Sequence, residues 1–528
     1  RPRRLMAEQL RLLPGYGTAH LQLTLAALLL AVAIAVPLGI AVARRRGLET
    51  PLLGLAGVVQ TIPGLALLAI MVPTLAMLGH LTQRTFGFEL RSIGFLPALT
   101  ALTLYALLPI LRNTVVGIGG VDPALLEAAR GVGMTEGEVL RRVALPLAMP
   151  VIVAGLRTAA VWVVGTATLS TPVGATSLGN FIFSGLQTRN YAAVGVGCAA
   201  AAALALLLDQ LIRALESGLR EGRRMRIAAA LLLLAGLCGW AALGFAAPAR
   251  RSASREVVIG AKTFTEQYVL SELLAARIAE QTGLKTSTLP SLGSTVAFDA
   301  LRSNQIDVYV EYSGTIYATL MHRSQLPEDR ARVLAEVAEF LRSQHGIPIA
   351  AALGFENTYA LGMRAAQARE LGIQRISQLA AHAPKLEIGG DYEFFQRPEW
   401  SALQRSYGLA FRAERSMDSS LMYQAVAQGE VDVITAFSTD GRIAAEDIAL
   451  LEDDRGAIPP YDALVLVGPR AAREQPQLLA ALAGLAGAID AASMRRMNLA
   501  VDRDGRSPAE VAREFLSRRS AARASAGP

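Results

Sequence analysis

Five histidines (His20, His80, His322, His345 and His382) and two cysteines (Cys198 and Cys238) are all the imidazole and thiol chemistry in this sequence. The histidines form no HExxH pair for a metal, and no GxSxG turn presents a serine nucleophile. Both cysteines lie in apolar segments and residues 250–528 contain none, so that half uses neither a disulfide nor a Cys-rich metal site. A Gly-Lys dipeptide occurs nowhere, and a phosphate-cradling loop needs that lysine. No catalytic residue and no cofactor are therefore expected, and any nucleotide hydrolysis falls to another subunit. The residues 122–146 carry helix-start and turn signals instead. Asp122-Pro123 can cap and start a short helix, and Gly133 permits a sharp turn into a second one. The small side chains of Ala128 and Ala129 would let the first helix sit deep in a groove on a partner.

Those residues must be positioned by a chain of 528 residues, too long for a single core. Hydrophobic residues make up 52% of it, more than a soluble enzyme normally carries, and they concentrate in residues 19–247. Residues 250–528 read as ordinary soluble protein. A membrane span needs about 20 apolar residues, and six stretches qualify: 19–43, 52–78, 93–117, 147–170, 190–212 and 227–247. The stretch 79–92 is too polar to span. The net charge of +7 is carried by arginine, with only Lys262, Lys285 and Lys385 as lysines. The arginine clusters flank the apolar runs, which points to a lipid bilayer and excludes nucleic acid as a partner. Arg44, Arg45 and Arg46, then Arg130, Arg141 and Arg142, then Arg213, Arg220, Arg223, Arg224 and Arg226 fall in loops on one side of a six-span topology. Positive charge marks that side as cytoplasmic. Residues beyond 247 then lie outside the inner membrane, although Arg1, Arg3, Arg4 and Arg11 oppose this assignment. No signal-peptide pattern is evident at the N-terminus.

The run EAARGVGMTEGEVLRRVALP, residues 127–146, resembles the EAA loop of ABC importer permeases. Its anchors are Glu127, Ala128, Ala129, Gly133, Val143, Leu145 and Pro146, with no departure in spacing. An amphipathic helix lying on the membrane without a partner is the alternative reading of this segment. The resemblance extends through Gln60-Thr61-Ile62-Pro63, Leu104–Thr114 and Leu178–Leu186 to the quaternary-amine branch, over about residues 20–212. It implies an all-α polytopic membrane domain that works as a homodimer. It also implies that the segment Glu127–Pro146 takes up the motion of two copies of a cytoplasmic ATPase.

In the second half, strand signals at Val257–Gly260, Ile306–Val310, Ala350–Leu353, Leu386–Gly389, Val431–Ala436 and Ala463–Val467 alternate with helical patterns at 266–281, 328–344 and 418–428. Such alternation means α/β layers. The runs Gly260–Tyr268, Asp307–Thr315, Asn357–Leu361, Phe437–Arg442 and Pro459–Ala463 resemble the periplasmic binding proteins for glycine betaine, choline and carnitine. The implied organisation is an N-terminal segment 1–18, a permease domain 19–217, and a sixth span with linker over 218–255. A two-lobed α/β binding domain at 256–520 and a disordered tail at 521–528 follow. One lobe takes 256–356 with 462–520, the other 357–461.

A trimethylammonium group donates no hydrogen bond and spreads its charge over methyl hydrogens, so aromatic faces are its natural hosts. The resemblance places rings at Tyr312, Tyr359, Phe437 and Tyr461, with Phe437 a departure from the tyrosine usual there. A plain core aromatic is the alternative for each. It places carboxylate-holding groups at Lys262, Thr315 and Arg397, which favour a betaine over choline. Glu393, Phe394 and Phe395 are expected to line the cleft from the second lobe, and an inward Glu393 would suit a ligand with a further cationic or N–H-bearing group. Ergothioneine, a trimethylammonium betaine with a thione-bearing imidazole, fits that description, and its importers resemble this branch. The sequence leaves a small osmoprotectant and ergothioneine both open.

Overall fold

Apolar runs with no water to satisfy their backbone must close their hydrogen bonds internally, and helices do so. The structure, a computed structural model, describes residues 2–87, 90–188, 190–251, 256–323, 330–391 and 393–525. It divides into two compact units, Arg1–Phe183 with Ala192–Ala253, and Ser184–Tyr191 with Ser254–Pro528.

Among the described residues of the first unit, six helical stretches are long and apolar enough to cross a membrane: Gln9–Arg44, Gly64–Phe86, Phe95–Gly119, Glu136–Val173, Tyr191–Glu221 and Arg224–Ala242. The second departs from the sequence expectation. The stretch 52–78 is not one span: the chain makes a helix at Glu49–Thr61, breaks at Ile62 (φ −72, ψ 127), and starts again at Gly64. The residue before a proline is driven out of the helical region, and Ile62 precedes Pro63. The restarted helix then runs on to Phe86, through half of the stretch that composition had marked as too polar. The expected N-terminal segment 1–18 is helical from Pro2 and continuous with the first span. At the other end of the unit, the helix Arg224–Arg251 runs past the expected sixth span 227–247 and takes in residues 248–251 of the linker expected at 248–255. Residues 252–255 of that linker lie outside the described residues, as do 526–528 of the expected tail. Residues 521–525 of the tail belong to the helix Pro508–Ser525 and are not disordered coil.

The second unit is built on two five-stranded sheets. The first has the order β2-β1-β3-β10-β4, with β1 Val257–Lys262, β2 Thr286–Leu292, β3 Val308–Tyr312, β4 Ile349–Glu356 and β10 Asp462–Val467. Strands β1, β2 and β3 run parallel, and β10 is antiparallel to both β3 and β4. The second sheet has the order β7-β6-β8-β5-β9, with β5 Tyr359–Arg364, β6 Glu387–Gly390, β7 Ala413–Ser416, β8 Val433–Phe437 and β9 Ile448–Leu450. Strand β6 is parallel to β7 and β8, and β5 is antiparallel to β8 and β9. The chain crosses between the sheets at Asn357-Thr358 and again at Leu451–Tyr461. The two crossings are tied where the Asn357 N–H donates to the Tyr461 carbonyl at 3.0 Å. Strands β3 and β10 are buried throughout, and they are apolar apart from Glu311 in β3, Asp462 at the start of β10 and the tyrosine hydroxyls of β3. The helix Thr265–Thr282 packs on β1, β2 and β3 through Val269, Leu273, Leu274 and Ile278, each completely buried.

Candidate ligand-binding cleft and coupling helices

In parallel sheets, ligands collect beyond the carboxyl ends of the strands. Lys262 ends β1, Tyr312 ends β3, Phe437 ends β8, and Asp391 follows β6. Tyr359 opens β5 directly opposite Phe437 in the antiparallel register, and Tyr461 immediately precedes β10. These positions converge on a cavity of about 190 Å³ whose wall includes all eight binding residues expected from sequence: Lys262, Tyr312, Thr315, Tyr359, Glu393, Arg397, Phe437 and Tyr461.

The rings form a connected wall. Tyr359 packs against Phe437 with centroids 5.1 Å apart and against Tyr461 at 5.9 Å in a T-shaped pair. Phe264 completes the series. It stacks on Phe437 at 6.1 Å with planes 3° apart and tilts against Tyr312 at 6.2 Å. Phe264 was not singled out from sequence; its only signal was membership of the run Gly260–Tyr268. The wall also includes Thr263, Ser294, Asn357, Asp391, Asp418 and Ser419. Phe394 departs from expectation. It is fully buried behind Tyr359, at 4.9 Å, and supports that ring instead of lining the cavity. Phe395 packs between Phe394 and Trp400. Burial holds the phenols of Tyr312, Tyr359 and Tyr461 well above their ordinary pKa, so all three present neutral faces.

Both cavity cations are already held by carboxylates. The Lys262 ammonium donates to Glu311, a completely buried residue that also accepts from the Tyr309 hydroxyl and the Tyr312 N–H. Arg397 donates to Glu393 at 2.9 Å and to the Thr319 hydroxyl at 3.3 Å, and lies 3.8 Å from Glu399. Each cation stands over a ring of this wall, Lys262 at 5.2 Å from the Tyr312 centroid and Arg397 at 5.5 Å from that of Tyr359. Among the described residues, three of the wall keep a buried polar atom without a partner: Arg397 at Nε, Asp391 at Oδ2 and Asn357 at Oδ1. Burial raises the Asp391 pKa, against the two backbone N–H groups of Glu393 and Phe394 that its other oxygen accepts.

In the membrane unit, the segment 122–146 forms two short helices. The Asp122 carboxylate accepts from the Ala124 N–H and caps the helix Pro123–Gly131, and Thr135 and Glu138 cap each other reciprocally at the start of the next. Gly133 makes the turn between them with φ 86. Glu127 and Ala128 are exposed, Ala129 is buried, and Leu125 and Val132 are exposed apolar residues beside them. Arg130 donates to Glu136 across the turn at 2.7 Å. Val143, Leu145 and Pro146 lie where this pair merges into the long helix Leu145–Ala167.

Two family models match this chain. Residues 255–518 match the substrate binding domain of ABC-type glycine betaine transport systems, and residues 35–221 match the inner membrane component of binding-protein-dependent transport systems. The chain belongs to these binding-protein-dependent ABC importers, as a permease fused to a substrate-binding domain of the quaternary-ammonium branch. It is a membrane-embedded transport subunit and not an enzyme; the family works with an ATPase partner and a solute ligand. Among its relatives, the ergothioneine transport permease/ergothioneine binding protein of Helicobacter pylori (strain G27) is 28% identical over 483 residues, 88% of this chain and 83% of that one. An osmoprotectant import permease protein of Salmonella typhimurium (strain LT2) is 40% identical over 37% of this chain and 86% of its own length. A glycine-betaine-binding protein of Pseudomonas aeruginosa (strain PAO1) is 31% identical over 49% of this chain and 86% of its own length.

Proposed function

We propose that the cleft binds a trimethylammonium betaine and that the permease half carries it across the inner membrane. The observation that carries this reading is the wall of five rings, Tyr312, Phe264, Phe437, Tyr359 and Tyr461, around one cavity. Each desolvated ring contributes about 0.5–2 kcal/mol to holding a cation, so the wall supplies much of the roughly 8 kcal/mol of micromolar binding. Lys262, Thr315 and Arg397 hold the carboxylate end; the unpartnered Arg397 Nε is a ready donor for it.

Glycine betaine, carnitine and choline are the solutes of the first reading. Ergothioneine is the second, and a specific observation favours it. Asp391 has a buried acceptor oxygen without a partner, and the imidazole N–H of ergothioneine supplies an N–H donor for it, where glycine betaine has no donor and carnitine and choline offer only a hydroxyl. The Helicobacter pylori relative, which resembles both halves together, supports the same reading.

Residues 19–217 are the permease, 218–255 the sixth span and linker, and 256–520 the binding domain with its lobes at 256–356 plus 462–520 and at 357–461. The binding domain lies on the outer side of the membrane, as the arginine-bearing loops favour. Two copies of the chain pair through their membrane halves, and Glu127, Ala128, Ala129, Gly133, Leu145 and Pro146 couple them to two cytoplasmic ATPase subunits. The fusion keeps the binding domain near its dock at an effective concentration of order millimolar. Calorimetry on the full chain in nanodiscs with glycine betaine, carnitine, choline and ergothioneine tests the ligand. Micromolar or tighter binding of at least one is expected, and no binding of any of them would sink the reading.

A further inference from the structure

Two hydroxyls of the aromatic wall are tied to buried carboxylates. Tyr312 donates to Glu266 at 2.5 Å, and Tyr461 donates to Glu399. Glu266 is 2% exposed and Glu399 is completely buried. Neither lines the main cavity; both stand behind its rings. The direction of the Tyr312 bond is fixed by its neighbours. The Gln267 amide accepts the Lys262 N–H through Oε1 and donates through Nε2 to the Val310 carbonyl and to the Tyr312 hydroxyl oxygen. That oxygen therefore receives one proton and sends its own to Glu266.

Glu266 gathers three further donors: Asn357 Nδ2 at 3.1 Å, Asn498 Nδ2 at 3.3 Å and the Thr439 hydroxyl. The Asn498 amide is oriented by its second bond, to the Thr439 carbonyl at 2.9 Å. Four donors on two oxygens is the arrangement of a carboxylate, and every one of the four partners is neutral. The charge count matters because the wall already holds two cations, Lys262 and Arg397, each over a cage ring. Left alone they would repel a third. Glu311 offsets Lys262, Glu393 and Glu399 together offset Arg397, and Glu266 adds a negative charge whose hydrogen-bond donors include no cation. A phenol that donates to a carboxylate also gains electron density, which strengthens the negative face it presents.

We propose that Glu266 and Glu399 are specificity-determining residues that act through the Tyr312 and Tyr461 hydroxyls, making the aromatic cage select a permanent cation over a neutral group of the same shape. This rests on the cage reading given above. The test uses the full chain in nanodiscs and two isosteric pairs: glycine betaine with 3,3-dimethylbutanoate, and choline with 3,3-dimethylbutan-1-ol. Within each pair, C(CH3)3 replaces N(CH3)3 and the charge alone is lost. The unmodified chain is expected to prefer the cation in at least one pair by about a hundredfold or more. Glu266→Gln and Glu399→Gln are each expected to lower that preference at least tenfold, about 1.4 kcal/mol, chiefly by weakening the cation. Adding Tyr461→Phe to Glu399→Gln is expected to lower it little further, since the hydroxyl is the route. Equal loss for cation and isostere in both carboxylate variants, or full additivity with Tyr461→Phe, overturns this proposal and leaves the cage standing. An unmodified chain without preference for either cation overturns the cage reading itself. Should either single variant fail to fold, Tyr312→Phe and Tyr461→Phe measure the same preference from the ring side.

Discussion

Gly314 lies against the face of the Tyr461 ring: a Cβ built at this glycine would stand 2.5 Å from Cε2 and 2.6 Å from Cζ of the ring. No side-chain carbon fits there unless the ring moves. Tyr461 cannot turn aside cheaply, because its hydroxyl is bound to Glu399 and its ring forms a T-shaped pair with Tyr359 at 5.9 Å. Gly314→Ala is therefore expected to displace one wall of the cage. Binding of the trimethylammonium solute should weaken about tenfold or more by calorimetry, with little change in the circular dichroism of the chain. Unaltered affinity would mean that Tyr461 contributes no face to the ligand.

Tyr312 supplies both a ring and the link to Glu266, so Tyr312→Ala removes a face and leaves a buried carboxylate short of a donor. At least a tenfold loss of affinity is expected for whichever trimethylammonium compound binds. Retained affinity would remove Tyr312 from the cage.

The contrast between these two residues shows what the sequence carried. Tyr312, Tyr359, Phe437 and Tyr461 were legible because each sits in a run that resembles a known binding-protein pattern and each stands at a strand end. Phe264 shares the first of those runs, but its role depends on stacking over Phe437 from the other sheet, a pairing 173 positions away that no local pattern encodes. Glu266 and Glu399 read as ordinary acidic residues near helix starts, where such residues are common. Their importance lies in which hydroxyls meet them, and only the folded chain brings those together. In the membrane half the hydropathy located six spans but merged two helices at Ile62-Pro63, because an average over apolar residues does not register a single pre-proline break.

Acidity should act on the site through Glu266. Burial raises its pKa above the ordinary carboxylate range, against the pull of its bonds to Thr439, Tyr312, Asn498 and Asn357. The other titratable group in contact is Tyr312, and Asp440, Arg442 and Asp502 share the adjoining cavity. A bound cation favours the ionised form, so affinity should fall as the pH drops through the raised pKa. Folding runs the other way: a carboxyl whose folded pKa is raised contributes stability that is fully present below its unfolded pKa and is lost as the pH rises through the folded value. Calorimetric affinity of a trimethylammonium solute should therefore increase with pH above the ordinary carboxylate range, and Glu266→Gln should flatten that part of the profile. A slope that survives in the variant would assign the effect to another group such as Asp391, whose pKa burial also raises.

The Lys262–Glu311 pair is the most buried ion pair among the described residues, at 3% and 0% exposure. Glu311 also anchors the Tyr309 hydroxyl and the Tyr312 N–H. Removing one partner strands the other charge out of water, which costs about 3–5 kcal/mol. Glu311→Ala should lower the denaturation midpoint of the second unit by that much stability. A change within about 0.5 kcal/mol, the range of a surface substitution, would mean that water reaches the ammonium.

Glu127 tests the membrane half separately from the cleft. It is exposed on the helix Pro123–Gly131, whose start is capped by Asp122 and whose end turns at Gly133. The neighbouring Leu125 and Val132 are 49% and 76% exposed, apolar surface suited to a protein partner. Glu127→Lys reverses a charge on that face without touching a buried contact, so the fold should be kept. Ligand affinity of the intact chain should stay within about twofold of the unmodified value, while uptake of the same solute into cells expressing the ATPase should be lost. Two readouts on one variant make the outcome decisive: if uptake persists with Glu127→Lys, the helix pair does not receive the motion of the ATPase, and if affinity falls together with uptake, the substitution has disturbed more than coupling.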